Sequence, residues 1–85
     1  MKLNEYEYGF CCNLHAALKE EVKGMVFTTV EDDTLYVKIL NGYIRFDMAF
    51  EDFSDIIYKG VTSKHIVCEV IKKYRKYING LYFHN

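Results

Sequence analysis

Proline occurs nowhere in these 85 residues, and no repeat, low-complexity stretch or linker breaks them up, so residues 1–85 read as a single small domain. No apolar run approaches the roughly 18 residues of a membrane span. The first residues lack the basic, apolar and small-residue regions of a secretory leader. Cysteine is scarce and odd in number. There are three, and two of them, Cys11 and Cys12, are adjacent. That is no disulfide framework, and it points to a reducing, cytoplasmic setting. Charge of one sign is also missing. A net charge of -1 gives neither the field of a strongly basic nucleic-acid binder nor the acidity of a DNA mimic. What excess there is divides along the chain, with six Lys/Arg against four Asp/Glu in residues 49–85 and five against eight before them. Half of the residues are apolar, too many for a disordered chain. A core of this size is adequate but thin, so a partner or a homodimer would add to stability. No catalytic or cofactor signature stands out, and the expectation is a protein that is not an enzyme and carries no cofactor.

The most informative dipeptide is Asn41-Gly42, between two alternating apolar runs. It is the strongest short-range sign of a two-residue type I′ hairpin. Such a turn sets Leu40 opposite Tyr43, Ile39 opposite Ile44, Lys38 opposite Arg45, Val37 opposite Phe46, Tyr36 opposite Asp47 and Leu35 opposite Met48. Alternate pairs share a face. Ile39, Ile44, Val37, Phe46, Leu35 and Met48 then make one apolar face, and the others a mostly polar one. A slip of one residue would mix the two sets. Met25 to Val30 is β-branched and apolar and reads as a preceding strand, joined through Glu31-Asp32-Asp33, where loops of roughly two to four residues all fit. The result is a three-stranded antiparallel meander over 25–30, 34–40 and 43–48.

Helices flank it. Asn4 and Glu7 suit a capping box, and Phe10, Leu14, Leu18 and Val22 recur at i, i+4, which predicts a helix over 4–22 with Gly24 as its stop. Ala49 to Lys59 suits a short helix ended by Gly60. Thr62 or Ser63 caps a last one, with Ile66, Val67, Val70, Tyr74, Tyr77 and Ile78 as its stripe and Asn79-Gly80 as its stop. Lys72, Lys73, Arg75 and Lys76 would then suit its negative C-terminal end, and Leu81 to Phe83 would fold back as an apolar tail. The fold class is α+β, a two-layer sandwich in the order α-β-β-β-α-α with the helices on one sheet face.

Candidate sites are few. Cys11 and His15 with His65 and Cys68 would make a Cys2His2 zinc set, but the last helix's stripe turns His65 and Cys68 to solvent while Cys11 stands at the core edge, so no metal site is expected. Cys68 shares its face with His65, Lys72, Arg75 and Lys76, a positive field that favours a reactive thiol. No base or oxyanion donor accompanies it. The outer sheet face offers Tyr36, Lys38, Tyr43 and Arg45. There Lys38 opposite Arg45 is a like-charge pair costing a few tenths of a kcal/mol, which an anionic partner would relieve. Tyr and Arg are also what protein interfaces favour. Lys73 can pair with Glu69, and Glu51, Asp52 and Asp55 gather by the short helix without a carboxylate pair suited to acid–base work.

The α-β-β-β-α order resembles double-stranded RNA-binding domains, which carry a Gly-Pro-x-His loop and a lysine-rich start to the last helix. Here proline is absent and the last helix begins Ser63-Lys64-His65, so that family is set aside. In size, in its Tyr/Lys/Asn/Ile-rich composition and in its lack of a catalytic motif, the chain is similar to small accessory proteins of Gram-positive phages and prophages. Its element order is similar to one class of anti-CRISPR inhibitor of an RNA-guided nuclease, a class that is strongly acidic where this chain is near neutral. The resemblance implies a protein-binding inhibitor of a host defence or regulatory complex and carries over no residue. The residues expected to bind are Tyr36, Lys38, Tyr43 and Arg45 on the sheet, or His65, Lys72, Arg75 and Lys76 on the helix. The alternative is nucleic-acid binding through the same groups.

Overall fold

The structure, a computed structural model, describes residues 3–82. Its elements are α1 (Glu5–Glu21), β1 (Met25–Glu31), β2 (Thr34–Asn41), β3 (Ile44–Phe50), α2 (Phe53–Tyr58) and α3 (Ser63–Tyr82). This is an α+β fold in the expected order, with the three strands in one open antiparallel sheet ordered β1-β2-β3. Helix α1 packs on β1 and on α3, and α3 packs on β3. The core lies between those two helices and the sheet. Leu14 and Leu18 of α1, Leu35, Val37 and Ile39 of β2, Phe53 of α2 and Val70 of α3 are fully buried there.

The capping box at the start of α1 is formed as the sequence suggests. Glu7 donates its backbone N–H to Asn4 Oδ1 at 2.8 Å, and Asn4 donates its own to Glu7 Oε1 at 3.0 Å. Phe10, Leu14 and Leu18 then point inward at helical spacing. At its far end the helix stops at Glu21, with Val22 already extended. Gly24 is therefore not the cap. It sits two residues on, at φ +113, where its Cα runs against the backbone of Leu40 and Asn41 in β2.

The β2–β3 hairpin differs from the type I′ expectation. Its loop residues are Gly42-Tyr43, and Asn41 stays in the ladder opposite Ile44. Gly42 has φ +63, while Asn41 and Tyr43 do not enter positive φ. Every β2 residue thus meets a β3 partner two positions further on than expected. Lys38 faces Asp47, Leu40 faces Arg45 and Leu35 faces Phe50. A slip of two preserves the faces, because side chains alternate with period two, so the apolar set is the expected one. The slip has two gains. It replaces a like-charge pair by Lys38 opposite Asp47, and it brings Phe50 onto Leu35, where an Asn-Gly turn would have left Phe50 unpaired. Cross-strand pairs are each worth about 0.2–1 kcal/mol, enough together to override a local turn preference. For the same reason β3 runs through Ala49 and Phe50, and α2 is shorter than the sequence suggests.

The type I′ signature appears instead in the β1–β2 turn. Asp32 and Asp33 are its two loop residues, both left-handed at φ 49 and 61. Asp33 also serves α2. Its carbonyl accepts the Phe53 N–H at 2.8 Å, and its carboxylate accepts the Ser54 N–H and hydroxyl, each at 2.8 Å. Asp52, at the N-cap position, makes no side-chain cap, so the carboxylate that caps α2 comes from the distant turn. Asp33→Ala should cost about 1–2 kcal/mol, and Asp33→Asn, which keeps an acceptor and tolerates the left-handed backbone, clearly less. Urea melts of the two variants decide it, and equal losses would show that the cap is not what Asp33 contributes.

Thr62 caps α3, its hydroxyl accepting the His65 N–H at 3.2 Å. Asn79-Gly80 does not end this helix, which runs to Tyr82. Gly80 keeps a helical backbone, and the stop it would supply needs the left-handed region. Leu81 is an exposed residue of α3 rather than part of a folded-back tail, and Phe83 lies outside the described residues. Ile71 is buried beside the expected stripe, while Tyr77 is partly exposed. Tyr74 is buried edge-to-face against Phe46, with ring centroids 5.5 Å apart.

Candidate binding surfaces

The side of the sheet away from the helices is bare. Cross-strand pairing arranges it in three rows: Met25, Leu40 and Arg45; Phe27, Lys38 and Asp47; Thr29, Tyr36 and Ala49. Tyr36, Lys38 and Arg45 lie on this face as expected. Tyr43 does not. It sits at the hairpin tip, fully exposed at 107 %, because the loop is Gly42-Tyr43. The residues that sequence reasoning missed here are Met25, 58 % exposed, and Phe27, 41 % exposed. The face is consequently more apolar than the mostly polar surface expected of it. Phe27 and Leu40, with Thr29, Lys38, Arg45 and Asp47, line a shallow hollow of about 330 Å³. Its charge balance is close to even, with Lys38 opposite Asp47.

The second surface is α3. His65, Cys68, Lys72, Lys73, Arg75 and Lys76 are all exposed. The four basic residues do not sit at the helix's C-terminal end as expected, because the helix continues six residues past Lys76 and its last turn holds no basic residue. Macrodipole stabilisation fades within the last turn. The expected Lys73–Glu69 pair is not among the ion pairs of the described residues, as suits two exposed side chains for which an i, i+4 contact is worth little. Those pairs are Lys59–Asp55 at 3.0 Å and Arg75–Glu21 at 3.7 Å.

The charge is strongly polarised. Helix α3 holds five Lys/Arg and one Glu, and the rest of the chain six Lys/Arg and eleven Asp/Glu. Glu21, at the end of α1, reaches Arg75, while Glu5, Tyr6 and Phe10, at its start, stand beside Thr62 and Ser63. Helices α1 and α3 therefore run parallel, and the basic part of α3 lies toward the β2–β3 hairpin. Glu31, Asp32, Asp33, Glu51, Asp52 and Asp55 gather at the opposite end, around the β1–β2 turn and α2, where Asp33 bonds Ser54.

The cysteines do not converge. Among the described residues, no group of three or more His, Cys, Asp or Glu side chains is placed to hold a metal ion. Cys11 packs against the core edge, and burial, with Cys12 and Glu7 nearby, pushes its thiol above the ordinary value. It is less of a nucleophile for it. Cys68 is a free, exposed thiol. Among the described residues no helix is long and apolar enough to cross a membrane. No protein-family model, no curated protein and no solved structure matches the chain.

Proposed function

We propose that this protein is a non-enzymatic binding module whose partner is another protein, held on the bare outer face of the sheet. The observation that carries this reading is the apolar centre of that face, Met25, Phe27 and Leu40, with Tyr36 beside it and charge of both signs around it. Contiguous exposed apolar surface framed by polar groups is what protein interfaces use. The balanced Lys38 and Asp47 favour a protein over a polyanion. In its most specific form the module is a cytosolic inhibitor of a bacterial defence or regulatory complex, of the kind that phages and mobile elements carry. Small size and the α-β-β-β-α-α order support that form. The test is a pull-down with tagged protein from Gram-positive bacterial lysate, with and without nuclease. A stoichiometric protein should survive nuclease and disappear with Met25→Glu plus Phe27→Glu, at two exposed positions of that face. Retention by that double variant would remove the sheet face as the site.

Nucleic-acid binding is the second reading, and one observation favours it. Lys72, Lys73 and Lys76, with Glu69 among them, surround the partly exposed ring of Tyr77 on α3, a pairing of cations with an aromatic that can hold single strands. It predicts recovered nucleic acid that is lost with nuclease, and affinity falling steeply with salt.

A further inference from the structure

Beyond the sheet face, we propose that the flank of α3 next to α1 is a separate docking groove for an acidic, amphipathic segment of a protein, about three helical turns long. The groove is open and about 630 Å³ in volume. Val67 and Ile71, both largely buried, show at its floor, with Cys68 at its edge and the alkyl stems and charged ends of Lys72, Arg75 and Lys76 along its rim. From Val67 to Asn79 it follows α3 for twelve residues, or about 18 Å at 1.5 Å per residue. The occupant's chemistry follows from that lining. Three cations over an apolar floor fit carboxylates that flank an apolar stripe, the pattern of an amphipathic helix laid in a groove. These cations are exposed and open to a partner. They lie outside the last turn of α3, and only Arg75 has an acidic partner among the described residues, Glu21 at 3.7 Å, with both side chains mostly exposed. A partner carboxylate can replace Glu21 without uncovering a buried charge.

Nucleic acid fits this flank less well. Its floor is aliphatic, and among the described residues no aromatic side chain lines it for base stacking. The ring of Tyr77 belongs to the other side of the Lys72–Lys76 ridge. A second copy of this chain would have to present its carboxylate end, where the acids are spread over a turn and a six-residue helix whose apolar side, Phe53, Ile56 and Ile57, is already packed on the core. The segment proposed is therefore foreign.

The probe is a fluorescein-labelled peptide of about 14 residues, built of Leu, Ala and Glu with leucines at i, i+3, i+4 and i+7, titrated into the full chain. We expect saturable binding and amide shifts confined to Val67 through Asn79 and the end of α1. Lys72→Glu with Lys76→Glu, at two exposed positions whose fold circular dichroism checks, should weaken it at least about tenfold, the effect of losing two charge-assisted contacts. A scrambled peptide of the same composition should bind at least about tenfold less well, since its stripe is broken. Phe27→Glu should change nothing, which separates this groove from the sheet face. Equal binding of the scrambled peptide would overturn the proposal, as would shifts mapping elsewhere or indifference to charge reversal. So would preferential binding of an oligodeoxythymidine of about 20 nucleotides, or self-association of the chain that the peptide cannot displace.

Discussion

Gly24→Ala should cost about 3 kcal/mol or more, seen as a thermal midpoint lower by roughly 12 °C or more in a domain of this size. Two effects act together. The backbone there has φ +113, a region that a residue with a Cβ adopts only under strain. The added methyl would also run into the carbonyl oxygen of Leu40, with the Asn41 Cα just beyond it at 3.1 Å. Neither neighbour can move aside as a flexible side chain could, because both belong to the central strand. Relief requires the α1–β1 connection to lift off β2, which would disturb the Met25–Leu40 and Val26–Ile39 pairs beside it. Gly9 supplies the contrast. It lies within α1, and a methyl added there would have open space for 4 Å around it. Gly9→Ala should therefore raise stability by about 0.5–1 kcal/mol through helix propensity alone. Melting curves of the two variants should move in opposite directions. A Gly24→Ala midpoint within a few degrees of the parent would show that the α1–β1 connection has room the structure denies it.

Phe53→Ala should be of similar or greater weight, about 3–5 kcal/mol. The ring is fully buried and meets Phe10 edge-on, with centroids 5.7 Å apart and planes at 70°. Helix α2 has six residues, far too few to hold together without packing. Phe53 is its only buried side chain. Removing the ring leaves a cavity under α1 and frees the helix from its anchor, and the Asp33 cap cannot compensate for either loss. Single domains hold about 5–15 kcal/mol in all, so the variant should be marginal at room temperature. Hydrogen exchange offers a second reading, with the amides of α2 losing protection first. Tyr58→Ala, at an exposed position of the same helix, should be close to neutral. A Phe53→Ala loss near that of Tyr58→Ala would contradict the packing described for α2.

The architecture was legible in the sequence because its signals were periodic. Leu14 and Leu18 repeat at helical spacing. Leu35, Val37 and Ile39 alternate with Tyr36, Lys38 and Leu40, and that alternation named the buried face of the hairpin correctly. It could not name the register, since a slip of two leaves every face unchanged. Asn41-Gly42 pointed to one turn while Lys38, Asp47 and Phe50 favoured another. The longer-range pairs won, and with them went the Lys38–Arg45 repulsion that had suggested an anionic partner for the sheet. Met25 and Phe27 were missed for a different reason. Both alternating sets of β1 are largely apolar, so nothing in Met25-Val26-Phe27-Thr28-Thr29-Val30 says which set turns outward until the sheet is paired. Asp33 was hidden because its partner Ser54 is twenty-one residues away. The basic run of α3 was plainly visible, but its meaning depended on where the helix ends. Asn79-Gly80 suggested an end that helical packing did not take.

The polarised charge described above has a consequence in time rather than in space. A molecule with a cationic helix toward one end and a cluster of carboxylates at the other is turned by a partner's field before the two surfaces meet. An acidic partner would draw in the α3 end and repel the other, so that fewer encounters are wasted in the wrong orientation. Such steering acts on how fast a complex forms far more than on how long it lasts. Neutralising carboxylates at the distant end, at positions no partner touches, would then alter the speed of capture while leaving the lifetime of the complex as it was.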